Sequence, residues 1–240
     1  MNDNIEISFI IPCLNEADVL PIAIASAREA IKQLGCPCEI IVSDNGSTDN
    51  SVQVAEQLCA RVVLAKEKGY GAALSHGFSE AKGRFFVMGD ADGTYDFTEA
   101  TLFVEKLRST EADFVIGSRI KGNMEKGANP FLHRYLGTPV LSFIISKLFH
   151  LNISDCNCGM RALTKQTWEL LGCKSTEMEF ASEMLCRAGL LKLRVLEIPC
   201  SLYKGKSNRK THLKPWRDGW RHLKLILAIR FKGPGANLSV

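Results

Sequence analysis

Hydrophobic positions in the first hundred residues fall into short, nearly unbroken runs separated by longer amphipathic stretches. Residues 5–12 are apolar and rich in β-branched side chains, the pattern of a strand buried on both faces of a parallel sheet. A helix is predicted over 17–34, opening near the acids Glu16 and Asp18 and stopping at Gly35. Residues 39–43 read as a second strand that ends in the turn cluster 44–49. A helix over 51–59 then leads to a third strand at 61–64. After Gly69-Tyr70-Gly71 a helix runs to Ala81, and residues 84–88 form a fourth strand entering Gly89-Asp90-Ala91-Asp92-Gly93. This βαβα rhythm predicts an α/β fold, a mostly parallel sheet flanked by helices. Ligands of such sheets bind outside the carboxyl ends of the strands.

The second half changes period. Tyr135, Leu136, Val140, Phe143, Ile144, Leu148 and Phe149 are spaced as on a helix that Pro139 begins or kinks. Most of that surface is expected to pack on the sheet, leaving a stripe that either joins the core or meets lipid. Residues 215–231 predict a last helix with Pro215 at its first position and Trp216, Trp220, Leu223, Leu227 and Phe231 at intervals of three or four. Arg217, Arg221, Lys224 and Arg230 fall largely on its other faces. Such a helix either lies on an anionic membrane or docks on the body through its tryptophans.

Composition narrows the class. At 240 residues, 46% hydrophobic and 23% charged, the chain is neither disordered nor collagen-like, and its length suits one domain. No run reaches the roughly 18 apolar residues of a membrane span, and the start lacks a signal-peptide layout, so a cytoplasmic protein is expected. Nine cysteines without export signals argue for buried thiols, and the pairs Cys36/Cys38 and Cys156/Cys158 lack the second pair that a zinc ribbon needs. The net charge of +4 is unevenly placed: residues 204–232 hold ten Lys and Arg against Asp218 alone. The rest holds 20 Lys and Arg against 25 Asp and Glu, so a mildly acidic body carries a strongly basic tail. Two parts of one unit follow, residues 1–203 and a basic loop and helix over 204–240, and the tail predicts an anionic partner.

The polar clusters that end the strands carry the candidate chemistry. Asp90 and Asp92, at i and i+2 of an extended segment, point the same way and can reach one hard cation while Gly93 turns the chain, although Asp-x-Asp also occurs in solvated turns. Gly69 and Gly71 suit either a phosphate or ribose contact or a plain helix start. Glu179 and Glu183, at i and i+4, share a helix face as a general base, an acceptor or metal contact, or an ordinary polar face.

Taken together, IIPCLNEADVL, IIVSDNGSTDNS, KGYGAAL and GDADGTYD occur in the order and spacing of family-2 inverting glycosyltransferases of the GT-A fold. The closest likeness is to bacterial dolichyl- or polyprenyl-phosphate mannose or glucose synthase-like enzymes. It continues through DFVIGSR, LHRYLGTPVLS, SDCNCGMRAL, MEFASEM and PWRDGWRHLK, covering nearly the whole chain. The resemblance implies that Pro12, Leu14, Asn15, Glu16 and Asp44 line the nucleotide pocket, with Gly69, Gly71 and Ala91 alongside. It implies Asp90 beside ribose and diphosphate, and Asp92 as principal ligand of Mg²⁺ or Mn²⁺. The family's synthases often carry Gln where this chain has Thr94, so Tyr95, Asp96 or water is left to complete the metal shell. Arg119 and Arg134 resemble acceptor-side arginines that grip a phosphate, and Asp155, Gly159 and Arg161 match a segment beside the sugar.

The implied function is metal-dependent transfer from a nucleotide sugar of UDP-glucose or GDP-mannose type to a polyprenyl or dolichyl phosphate. The rivals are a soluble hydroxyl- or thiol-bearing acceptor and a noncatalytic module that binds anionic surfaces; nucleic acid is not an expected partner. Many relatives run on into membrane helices after the WRDGWRHL segment, whereas this chain ends KGPGANLSV. Peripheral attachment to the inner face of the cytoplasmic membrane through residues 204–232 is the expectation, with residues 204–212 as a basic loop able to close over a phosphate.

Overall fold

The computed structural model describes residues 4–128, 137–205 and 215–232. Its strands are β1 (Ile7–Cys13), β2 (Cys38–Asp44), β3 (Arg61–Leu64), β4 (Phe85–Met88), β5 (Phe114–Ser118), β6 (Arg161–Thr164) and β7 (Val195–Pro199). Its helices are α1 (Leu20–Leu34), α2 (Ser51–Gln57), α3 (Tyr70–Glu80), α4 (Ala100–Arg108), α5 (Thr138–Phe149), α6 (Lys165–Leu171), α7 (Phe180–Leu190) and α8 (Pro215–Lys232).

The first four strands form where the apolar runs place them. Every residue of β1 is buried, and β1 pairs parallel with β2 on one side and β4 on the other. Helix α1 buries Leu20, Ala23, Ile24, Ala27 and Ala30 and stops at Gly35, whose φ of 61° is the left-handed backbone that glycine adopts without strain. It starts at Leu20 rather than at residue 17, because Asn15 takes φ 56° and the chain then turns so that Leu20 N donates to the Glu16 carbonyl.

Seven strands form one sheet in the order β3-β2-β1-β4-β6-β5-β7. Strand β6 runs antiparallel to both its neighbours, whereas β5 and β7 pair parallel. The four residues of β6 begin with an arginine, so no apolar run announces them. Their reversal decides where the site forms. The reversed strand begins where β4 ends, with Arg161 opposite Met88, so the loop before β6 arrives at the edge that carries Asp90.

Aromatic rings fill the space between sheet and helices. Phe9 meets Phe97 edge to face at 5.9 Å, and Phe78 stacks on Phe86 at 5.6 Å. Helix α5 has Pro139 in its first turn and packs mainly on α7 and α8 rather than on the sheet, burying Leu141, Ile145 and Phe149 and leaving Val140 and Phe143 exposed. Helix α8 docks on α7 and α5 through His222, Leu225, Ile226 and Ile229, which turns Trp220, Leu227 and Phe231 outward beside Lys224 and Arg230. Among the described residues no helix is long and apolar enough to cross a membrane. Five of the nine cysteines are buried, and none of the nine forms a disulfide.

Burial alone separates two otherwise similar substitutions. Phe9→Ala, at a fully buried position, is expected to lower the unfolding free energy by about 3–5 kcal/mol, and Phe143→Ala, 63% exposed, to stay within about 0.5 kcal/mol, as read from urea denaturation.

Candidate active site

Strand β4 delivers Asp90 to the sheet edge and the chain turns at Gly93, where φ is 73°. One Asp90 oxygen accepts a 2.8 Å bond from the Tyr70 hydroxyl at the start of α3. The other lies against Gly159, where an added Cβ would sit 2.5 Å from it. Gly159 is held there by its own N–H, which donates to the Tyr95 hydroxyl at 2.8 Å. Asp92 Oδ1 accepts from the backbone and hydroxyl of Thr94 at 3.0 and 2.6 Å, which fixes the second carboxylate. Loss of water around Asp90, followed by the charge of Asp92, raises the Asp90 carboxyl to about 6. Burial and the same carboxylate push the Tyr70 phenol well above its usual range, so it stays protonated and donates.

Loops after β5 and before β6 bring the arginine. Arg119 forms a bidentate pair with Asp155, Nε to Oδ2 at 2.7 Å and NH2 to Oδ1 at 2.8 Å, and its backbone N–H also donates to Oδ2. Asp155 is fully buried, so its orientation sets that of Arg119.

The loops after β1 and β2 are laced together. Asn15 Oδ1 accepts from Thr48 N at 2.7 Å, and Asn15 N donates to the Ser47 hydroxyl. Asp44, 3% exposed, accepts from Gly46 N and Ser47 N and so caps its own turn. Lys68 Nζ donates to the Asn45 carbonyl at 2.7 Å, bringing a cation to this edge that the sequence reading passed over. Pro12 is buried in β1, while Leu14, Asn15 and Glu16 are half-buried at its end.

Several sequence-predicted ligands serve the frame. Arg161 is fully buried and donates to the carbonyls of Cys156, Cys158 and Ala181, so it locks the loop before β6 onto α7 and has no reach to a sugar. Glu183 is fully buried and accepts from Lys174 N, Ser175 N and Arg187 Nε, which leaves it no route to an acceptor proton. Glu179 pairs with Arg221 of α8 at 3.0 Å and ties that helix to the body. Asp96 is spent on the Ser26 hydroxyl and Thr98 N, and Tyr95 on Gly159, so neither is placed as a further metal ligand. An added Cβ would stand 2.1 Å from Thr176 O at Gly69 and 2.5 Å from Ser175 O at Gly71, so both glycines admit the close approach of the 175–177 backbone. Ala91 is buried between the two acids. Arg134 and residues 206–212 of the basic loop lie outside the described residues.

Besides Lys68, sequence reasoning missed the polar groups Tyr70 and Glu197. Tyr70 stood in view between two glycines, with nothing in the spacing to tie it to Asp90. Glu197 sits in a strand and becomes visible only through its partners on the loop before β6.

A family model described as glycosyl transferase family 2 matches residues 8–171. The low-salt glycan biosynthesis hexosyltransferase Agl6 of Haloferax volcanii is 35% identical over 98% of the chain, which spans only 57% of that relative's length. Glycosyltransferase AglJ of the same organism is 28% identical over 89% of the chain and 68% of its own. An uncharacterized glycosyltransferase of Mycobacterium tuberculosis is 30% identical over 81% of the chain and 84% of its own. Among solved structures, glucosyl-3-phosphoglycerate synthase of M. tuberculosis with Mn²⁺, UDP and phosphoglyceric acid superposes with TM-score 0.71, covering 98% of this chain and 80% of that one. At 19% identity that likeness is one of fold, and the fold is GT-A.

The raised Asp90 pKa has a thermal signature. Between about pH 4 and 6 the folded protein keeps a proton that the unfolded chain has released, so stability falls as pH rises through that window. Asp90→Asn is therefore expected to raise the melting midpoint of metal-free protein by about 4 °C at pH 7.5 and hardly at all at pH 4, measured by calorimetry. Added Mn²⁺ should stabilise the parent protein at pH 7.5 and shift the midpoint of the variant, which keeps Asp92 but has lost one carboxylate, by less.

Proposed function

The chain belongs to glycosyltransferase family 2, and from that premise we propose that it moves a hexose, with inversion at C1, from a nucleoside diphosphate sugar to a polyprenyl or dolichyl phosphate. The observation that carries this reading is the meeting of the Asp90/Asp92 pair and the Asp155-held Arg119 at one sheet edge. The two carboxylates fit Mg²⁺ or Mn²⁺, which take one or two protein oxygens and complete their shell with diphosphate and water. Burial first and the charge of Asp92 second raise Asp90, and a cation would offset both. Among the described residues no third His, Cys, Asp or Glu joins them, in keeping with a shell finished by substrate. The mycobacterial synthase of the same fold holds Mn²⁺ together with UDP, which supports the same pairing here. When bound, the ion supplies positive charge to the departing diphosphate.

The chain's own groups do the remaining work. Tyr70 holds Asp90, Thr94 holds Asp92, and Gly159 keeps the wall beside Asp90 free of a side chain. Arg119 presents its guanidinium for an acceptor phosphate, and its rigid pairing removes orientational freedom before the acceptor arrives. A phosphate monoester is already anionic near pH 7 and needs placing rather than deprotonating. That demand suits a site whose two candidate bases, Glu179 and Glu183, are engaged by Arg221 and by Arg187 with the 174–175 backbone. Such a lipid also has a surface to meet: the outward Trp220, Leu227 and Phe231 of α8, with Arg217, Lys224 and Arg230, suit an anionic membrane. On this reading residues 1–203 form the catalytic unit and 204–240 its membrane-facing extension. A small soluble hydroxyl-bearing acceptor is the second reading, favoured by the phosphoglyceric acid in the structural neighbour.

The deciding assay offers UDP-glucose and GDP-mannose with either polyprenyl phosphate or 3-phosphoglycerate, and chromatography identifies which product forms. Asp92→Ala is expected to lower turnover by at least ~10²-fold. Arg119→Ala should raise the acceptor KM well above any change in donor KM; a loss confined to the donor would move Arg119 to the diphosphate side. Flotation with phosphatidylglycerol vesicles should fall for the double variant Trp220→Ala/Phe231→Ala, and undiminished flotation would remove α8 from the membrane-facing role.

A further inference from the structure

We infer that Glu197 is a positioning residue for Arg119, acting through the loop that carries Asp155. The inference deepens the acceptor-side role proposed for Arg119 and rests on it. Glu197 lies on β7 in register with Ile116 of β5, two residues short of the end of that strand, and its side chain is 1% exposed. Its Oε1 accepts from Ser154 N at 2.6 Å and from Asp155 N at 2.9 Å. Its Oε2 accepts from the Ser154 hydroxyl at 2.9 Å and pairs with Lys121 Nζ at 2.7 Å. Ser154 in turn shares a 2.9 Å hydroxyl contact with Ser118, the residue before Arg119.

Every one of these partners lies on the Asp155 loop or within two residues of Arg119. A buried carboxylate costs desolvation, and at a site with a purely packing role an apolar side chain of similar volume often does as well or better. Here the carboxylate fixes both backbone amides that set the direction of the Asp155 side chain. Asp155 then clamps Arg119 from the guanidinium and from the backbone N–H at once. The chain of control runs from β7 to the loop, from the loop to Asp155, and from Asp155 to the guanidinium. Lys121, whose side chain is 46% exposed, closes the same ring from the other end.

The consequence is a division of effects. Removing Glu197 frees the Asp155 loop and lets the guanidinium wander, while the Asp90/Asp92 pair keeps supports off that loop in Tyr70 and Thr94, and Gly159 at the loop's far end keeps its own bond to Tyr95. A misplacement of this kind weakens what Arg119 binds and spares the rest.

Two measurements on the 240-residue chain test the inference. The first is a kinetic double-mutant cycle with polyprenyl phosphate in detergent as acceptor probe. Glu197→Ala is expected to raise the acceptor KM roughly tenfold with donor KM and kcat within about twofold. Glu197→Gln keeps an oxygen for the two backbone amides and should recover most of the loss. In an Arg119→Ala background, Glu197→Ala should add less than about twofold, because the group it positions is gone. A full tenfold loss in that background, or an even loss on donor and acceptor that Gln does not rescue, would overturn the inference. If Arg119→Ala itself moves only the donor KM, the acceptor-side reading fails, yet a vanishing Glu197 effect in that background still supports the positioning.

The second measurement needs no substrate. The Arg119 Nε–H resonance, assigned by its loss in Arg119→Lys, should exchange slowly with solvent in the parent and in Glu197→Gln, and rapidly in Glu197→Ala. Unchanged slow exchange in Glu197→Ala would sink the inference even if transfer to a lipid phosphate is observed. If no lipid phosphate is turned over, the exchange rates alone decide.

Discussion

Holding two like-charged carboxylates together at the mouth of a hydrophobic strand is the constraint around which the structure is arranged. Water that would otherwise stabilise Asp90 has been partly removed, and Asp92 stands two residues away, so the isolated protein holds this pair under repulsion. The supports come from far along the chain. Tyr70 is carried by α3, whose start is pressed against the 175–177 backbone at Gly69 and Gly71, and that backbone is gripped in turn by the buried Glu183. Gly159 comes from the opposite side, on the loop that leads into the reversed β6, and is tethered by Tyr95. A site that spends stability on charge thus draws rigidity from three distant segments.

Charged residues in this fold divide by what they touch rather than by where they stand in a motif. Arg161 and Glu183 look like ligands in the sequence, yet Arg161 is bound mainly to backbone carbonyls and Glu183 to backbone amides and Arg187. A buried arginine that donates to three carbonyls does for an irregular loop what a ladder does for a strand. Arg119 differs because a carboxylate holds one side of its fork and leaves it only half-buried. The difference in exposure, 13% of the Arg119 side chain against none of Arg161, separates a group that can meet a ligand from one that cannot.

Much of the first half was legible because periodicity and burial agree there. Strands buried on both faces announce themselves as unbroken apolar runs, and Gly35 marks the end of α1 through a backbone geometry that few other residues tolerate. The reversal of β6 was not legible, since four residues led by an arginine give no apolar run and no direction. The same limit applies to the site. Asp90 and Asp92 could be paired from their i, i+2 spacing, a local property. The Tyr70 contact spans 20 residues and the Glu197 contacts span 42 and 43, and no local pattern reports a partner at that separation.

The reversed β6 also acts as a gauge. Its ladder to β4 sets Gly159 beside Asp90, where an added Cβ would already stand 2.5 Å from the carboxylate, and one step along a strand moves the chain by about 3.3 Å. A slip of one residue would also turn every β6 side chain to the opposite face. The stretch between α5 and Ser154 is tied to α5 through Leu151 N and the Ile153 carbonyl but keeps no sheet register, and doubling the length of a loop costs only about 0.6 kcal/mol in closure entropy. The chain is therefore open to insertion on one side of Asp155 and closed to it a few residues later, so variation in length among sequences of this design should collect before that aspartate and stop at Gly159.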